Sequence, residues 1–263
     1  MTNSSLQIEQ RDAIRWLWLN RPDMRNAFND ELIGEISAAF ADIEAAADTR
    51  VVVIAARGTA FCAGADLNWM RAMANYSHAD NHNDALKVAR MFNAVHACSK
   101  PVIARVQGDA YGGGVGLAAA CDLVVAADSM SFGLSEVRLG IVAATISPHV
   151  VRALGARQAA RFMLTAEKFT ATQARELGLV HELVAAKDLD AEVERLARLF
   201  LVASPAALAA TKKLLADVIE APLDDVLLAA TAKCIADARV SPEGREGIAA
   251  FLEKRAPSWA PKK

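Results

Sequence analysis

Val51-Val52-Val53-Ile54-Ala55, followed by the loop Arg57-Gly58-Thr59-Ala60-Phe61-Cys62-Ala63-Gly64-Ala65-Asp66, sets the fold class. The first five residues are continuously apolar and mostly β-branched, as a strand buried on both faces requires. Upstream, Ala13–Leu19 with its two tryptophans is a second expected strand, closed by the turn-like Asn20-Arg21-Pro22-Asp23. Between them Asn29 can cap a helix whose Leu32, Ile36, Phe40 and Ile43 recur at helical spacing. Downstream, Val102–Val106 and Leu123–Ala126 are further buried strands. Strands separated by helices imply an α/β fold with parallel pairing, the helices supplying the crossovers.

Strand signals stop after about Ala156. Thr170 and Gln173 form a capping box for a short helix that Gly178 can end. Ser204-Pro205 and Ser241-Pro242 each place a cap residue before a proline suited to the first helical turn. The chain after residue 200 is therefore expected to be helical, with Pro257 ending the last helix. An α/β core followed by a helical tail is the expected architecture.

Composition narrows the class. Of 263 residues 54% are hydrophobic, which excludes a largely disordered chain. Twenty-nine Lys and Arg against 31 Asp and Glu give a formal charge of −2, without the basic excess of a nucleic-acid binder. Charged residues interrupt every apolar stretch short of the roughly 18 residues a membrane helix needs. Met1–Arg11 is polar and lacks the pattern of a secretory leader. Cys62, Cys98, Cys121 and Cys234 form no CxxC pair and are expected to be reduced thiols of a cytoplasmic protein. Neither His96 nor His149 has a second ligand at metal spacing, so both are expected to be satisfied core or surface residues, and no metal site is expected.

The unusual local feature is Tyr111-Gly112-Gly113-Gly114-Val115-Gly116-Leu117, after a strand and before an Ala-rich helix. Glycines there let the backbone approach a ligand, and free N–H groups at a helix start attract negative charge. The other interpretation is close helix–strand packing. A dinucleotide fingerprint fails because its third glycine position is Leu117, and a Walker A motif fails because no Gly-Lys-Ser/Thr follows. The Ala63–Asp66 loop also stands between a strand and a helix. Two such loops can aim one N–H each at a single oxygen, which stabilises charge developing on a carbonyl. Asp66 itself suits a helix cap. Glu136, after a strand-like stretch in the apolar half, would have a raised pKa and could exchange protons near neutrality. Taken alone, it equally suits a salt bridge with Arg138.

Leu19-Asn20-Arg21-Pro22 with Asn26-Ala27-Phe28, Phe61–Leu67, Lys100–Ala104, Gly112–Gly114, Cys121-Asp122, Phe132–Gly140 and Phe251–Arg255 run in one order along the chain. In that order they resemble the enoyl-CoA hydratase/isomerase (crotonase) family. The resemblance implies a spiral core of ββα units over residues 1–200 and a helical trimerisation region over 201–263, giving a homotrimer or a hexamer. It implies an acyl-CoA substrate, with coenzyme A as part of that substrate and no separate cofactor. The thioester oxygen would sit between the N–H groups of Ala65 and Gly113, with Glu136 as general acid/base. The CoA would be wrapped by Arg25–Ala27 and by the loop Ala63, Gly64, Asp66 and Leu67, close to Gly112. Phe251 and Lys254 match positions that contact the adenosine part, often from a neighbouring subunit.

The sequence departs from the two-glutamate hydratases of this family at one position that matters. Their water-activating glutamate corresponds to Gly116 here. The pairing of Gly116 with Ile146-Ser147-Pro148 is similar to the bacterial methylglutaconyl-CoA hydratase subgroup. The resemblance therefore implies hydration of an α,β-unsaturated acyl-CoA of the branched or carboxylated type. The alternatives are a Δ3,Δ2-enoyl-CoA isomerase, which needs one carboxylate, and a non-catalytic acyl-CoA-binding protein.

Overall fold

The computed structural model describes residues 4–219 and 221–261. Met1–Asn3, the start of the polar Met1–Arg11 segment, and residues 220, 262 and 263 of the C-terminal region lie outside the described residues. A six-stranded sheet runs in the order β1 (Leu6–Arg11), β2 (Ile14–Leu19), β3 (Val51–Ala56), β4 (Val102–Val106), β6 (Leu123–Ala127), β9 (Glu182–Val184). The first pair is antiparallel and the rest are parallel. A second sheet joins β5 (Ala110–Tyr111), β7 (Ser131–Gly133) and β8 (Lys168–Thr170).

Alternation along the strands sorts the core into two layers. Leu17, Leu19, Val52, Ile54, Ala104 and Val106 face one side. They pack with α1 (Asp30–Ala45), α3 (His78–Ala97), α4 (Gly113–Ala120) and α5 (Ser147–Thr165). Trp16, Trp18, Val51, Val53 and Ile103 face the other side, against Leu189, Val193 and Ala197 of α7 (Leu189–Leu201). Every residue of β3 is buried, as an apolar run without alternation requires. Asn29 caps α1 by accepting the Leu32 N–H, and Leu32, Ile36, Phe40 and Ile43 are buried. The Thr170/Gln173 capping box forms at the start of α6 (Ala171–Glu176), and Gly178 follows at φ +90.

The structure adds one strand that the sequence did not announce and corrects two expectations. β1 is an edge strand whose residues are mostly wet, with Ile8 55% exposed, so its pattern does not stand out from a polar terminus. Strands β8 and β9 lie beyond Ala156. Each has three residues, too few for any periodicity to register. The last helix, α10 (Pro242–Leu252), stops before Pro257: Lys254 adopts φ +54 and the Arg255 N–H returns to the Ala250 carbonyl at 3.0 Å.

Past residue 200 come α8 (Pro205–Val218), α9 (Asp225–Val240) and α10, capped by Ser204, Asp224 and Ser241. Lys212 ties α8 to the core through Asp122 at 2.5 Å and the Lys100 carbonyl at 3.1 Å. No residue of α8 or α9 is fully buried. No single described helix is long and apolar enough to cross a membrane.

Candidate active site

The two glycine-bearing loops lie against each other. A bridge between Cys62 and Ala110 zips them, with the Tyr111 N–H on the Cys62 carbonyl at 2.9 Å. Gly64 sits at φ +92, and a Cβ there would stand 3.2 Å from the Tyr111 carbonyl oxygen. Gly112 sits at φ +50, and its missing Cβ would stand 3.9 Å from the Gly64 Cα and 3.0 Å from Glu136 Oε1. Both positions need glycine, for left-handed backbone and for close approach.

Two N–H groups are left over. The Phe28 and Asp66 N–H groups pair across the Phe28–Ala65 bridge, but among the described residues the Ala65 N–H has no acceptor. Gly113 opens α4, where no intrahelical acceptor exists for its N–H. One loop thus supplies one donor and the helix start the other, as an anion-stabilising pair requires.

Glu136 follows β7 at the start of the short 3-10 helix Glu136–Leu139. Among the described residues it makes no ion pair with Arg138, so the salt-bridge alternative is corrected. Its carboxylate turns toward the Gly112 loop instead. Among the described residues its buried Oε2 has no hydrogen-bond partner. Burial pushes its pKa above the ordinary carboxylate value. A half-buried acid with an open lone pair beside two free donors can accept and return a proton.

Gly116 lies on α4 one turn beyond Gly113, on the face toward Phe92. A Cβ there would stand 2.1 Å from Ile146 Cγ2 and 2.6 Å from Ile146 Cβ. Ile146 is 2% exposed and heads α5. An apolar side chain therefore fills the space into which residue 116 would project. Three residues on, His149 is buried against Phe92 and His96, with ring centroids 6.2 and 5.2 Å away. Among the described residues its Nδ1 has no partner, so the expected satisfied histidine is corrected; burial, with His96 and Arg152 nearby, lowers its pKa to about 4.

The remaining expected site residues divide. Arg25, Ala63 and Leu67 lie on or beside the first loop and Ala27 is buried next to Arg25: the Ala63 N–H donates to the Arg25 carbonyl at 2.9 Å, and Arg25 and Leu67 are exposed. Asp66 is not offered to a ligand, which corrects its place among the binding side chains. It is 3% exposed, caps α2 (Leu67–Met73) through the Asn68 and Trp69 N–H groups, and pairs with Arg21 at 2.8 Å. Burial raises its pKa, but the Arg21 bond and the two N–H groups outweigh that and hold it below the usual range. Phe251 and Lys254 are exposed at the far end of α10, which packs on α8 and α9, so the chain does not bring them to its own loops.

Sequence reasoning missed Asn26 as an individual residue. It is fully buried at φ +55 and binds the Arg57 and Ala60 carbonyls while accepting the Arg21 N–H. It pins the Arg25–Ala27 turn to the first loop. Its signal was a polar residue directly ahead of Ala27-Phe28, which composition alone does not single out.

The family model for enoyl-CoA hydratase/isomerase matches residues 9–262. The chain belongs to the enoyl-CoA hydratase/isomerase family. The crystal structure of an enoyl-CoA hydratase from Shewanella pealeana superposes with a TM-score of 0.95 at 39% identity, over 97% of this chain and 96% of that one. The 2,3-dehydroadipyl-CoA hydratase of Escherichia coli is 37% identical, over 97% of this chain and 98% of that protein. The mevalonyl-coenzyme A hydratase of Aspergillus fumigatus is 34% identical, over 94% and 91%. The crotonase fold, with its C-terminal helices, is thus the fold of this chain.

Proposed function

We propose that this enzyme adds water reversibly to the α,β double bond of a branched or carboxylated enoyl-CoA. The observation that carries the proposal is Glu136: one desolvated carboxylate, its Oε2 unpartnered, set against two free N–H groups, while Ile146 occupies the second catalytic direction. The thioester oxygen binds between the Ala65 and Gly113 N–H groups. Glu136 takes a proton from water, and the oxygen of that water bonds to the β-carbon. The electron pair of the double bond moves onto the thioester as an enolate, held by the two donors. Glu136 then returns the proton to the α-carbon on the same face. A single carboxylate completes the cycle. Coenzyme A enters as part of the substrate, and no further cofactor takes part.

The substrate class draws support from two relatives whose names describe a dicarboxylic and a methyl-branched acyl group. It is tested by following ultraviolet absorbance of the conjugated thioester with crotonyl-CoA and 3-methylglutaconyl-CoA. Loss on the branched acid alone is expected; loss on crotonyl-CoA alone overturns the substrate class. The apolar Ile146 also favours a second reading, Δ3,Δ2-isomerisation, because moving one proton between carbons needs no activated water. Conversion of a 3-enoyl-CoA to the conjugated product without net hydration selects it. Binding of every ester without turnover selects the non-catalytic alternative.

A homotrimer or a pair of trimers in the cytoplasm completes the proposal. Leu223, Val226, Phe251 and Leu252 are each at least 73% exposed in the region beyond residue 200, apolar surface that further copies would cover. Phe251 and Lys254 would then serve a neighbouring subunit's CoA. Sedimentation of the purified chain tests this, and a monomer overturns it.

A further inference from the structure

The small sheet has a face that the proposed chemistry does not use. Its register pairs Tyr111 with Gly133 and Gly133 with Lys168, so these three residues share one face. The other face carries Ala110, Phe132 and Phe169, all buried. Gly133 leaves the open face a hollow, over which the Tyr111 ring leans: a Cβ at Gly133 would stand 2.9 Å from it. The Lys168 ammonium stands 5.0 Å from the same ring's centroid. Here a cavity of about 350 Å³ is lined by Arg25, Arg138, Lys168, Asp109, Tyr111 and Ser135, among others.

Its charge is unbalanced. Among the described residues Asp109 is the one carboxylate in the lining, and it is already occupied, accepting the Ser131 N–H at 2.9 Å, the Ser131 hydroxyl at 3.1 Å and the Tyr111 hydroxyl at 3.1 Å. Among the described residues, Arg25, Arg138 and Lys168 enter no ion pair. Three cations against one anion leave an excess of two positive charges around a concavity. The cavity also shares its walls with the candidate active site. The Arg25 carbonyl holds Ala63, the Gly133 carbonyl holds the Gly112 N–H at 2.9 Å, and Arg138 follows Glu136 by two residues on one turn.

We propose that this cavity is an anion subsite for the thioester substrate, with Arg138 and Lys168 acting beside Arg25 as its cations. It takes a phosphate or carboxylate group, since guanidinium and ammonium donors match either. On the reading of this chain as an acyl-CoA enzyme, that anion belongs either to the coenzyme phosphates or to a carboxyl group on the acyl chain.

The test uses the double variant R138Q/K168Q with four esters: crotonyl and 3-methylglutaconyl groups, each carried on CoA and on pantetheine. The two cations are exposed, so the expected effect is about a tenfold rise in KM for anion-bearing esters, with kcat changed less than about twofold. A rise on both CoA esters and on neither pantetheine ester assigns the subsite to the coenzyme phosphates. A rise on both methylglutaconyl esters and on neither crotonyl ester assigns it to the acyl carboxylate. The effect should fade as salt is raised. Unchanged KM for all four esters overturns the proposal. Should the wild-type protein turn over none of them, the activity reading fails, and calorimetric titration with the same esters decides the subsite: an unchanged Kd in the variant overturns it.

Discussion

Two walls of the candidate active site are built from opposite materials. On the side of Glu136 the wall is polar and poised: a desolvated carboxylate against Gly112, with an open lone pair and two free N–H groups close by. On the side of Gly116 the wall is packed shut: Ile146 fills the place of a side chain at residue 116, and Phe92 and His149 stand behind it. The first wall can exchange a proton, while Ile146 and Phe92 of the second carry no group that can. On the proposed reading, catalysis is concentrated in one carboxylate, and selectivity falls to the other wall.

The comparison breaks most directly at Glu136. Replacing it with glutamine is expected to lower kcat by about 10²–10⁴-fold on the enoyl-CoA that the wild type hydrates. The same change should not weaken the fold at neutral pH. With its folded pKa raised, Glu136 favours the native state below its unfolded pKa, and that contribution is lost as pH rises through the folded value. A neutral glutamine escapes that penalty. Parallel rate and melting measurements check both halves, and a variant that melts early and stays active would remove Glu136 from the chemistry.

The packed wall is sharpened by acid. His149 is held near pKa 4 in the folded state against 6.5 when free. Between those values the unfolded chain binds the extra proton, so stability is full above 6.5 and declines as pH falls toward 4. The loss is on the order of 2–3 kcal/mol. His149→Leu should flatten that part of a stability-against-pH curve measured by denaturant unfolding. An unchanged slope would mean that another group carries it.

Gly116→Ala tests the packing itself. Alanine gains about 1 kcal/mol of helix propensity, but overpacking costs roughly 1–3 kcal/mol, and β-branched Ile146 has little freedom to swing aside. A net loss of about 1–2 kcal/mol is expected. In a double-mutant cycle with Ile146→Ala, the pair should be less destabilised than the sum by at least about 0.5 kcal/mol. Simple additivity would show that the two residues do not meet.

The smallest effect is the pH profile of kcat/KM. In the proposed mechanism hydration starts from ionised Glu136, so the rate should fall about tenfold per pH unit once pH drops below its raised pKa, above the ordinary 4.5. A profile flat down to 4.5 would contradict the desolvated environment.

Much of this protein is legible in one dimension. The β3 run and the loop after it, the Asn29 cap, the capping box at Thr170 and the two glycine loops follow from local rules, because apolar periodicity, caps and turns act within a few residues. The resemblance to a family added the expected pairing of Ala65 with Gly113 and the role proposed for Glu136, which its residue type did not distinguish from thirty other acids. Tertiary structure alone decided what depends on distant residues. It turned Glu136 away from Arg138 and desolvated it, spent the Asp66 carboxylate on Arg21 and a helix cap, and joined the short strands β8 and β9 to their sheets. It also set Ile146 against Gly116, thirty residues earlier in the chain. Burial, pKa and packing are properties of what surrounds a group, and in this fold those surroundings arrive from far along the sequence.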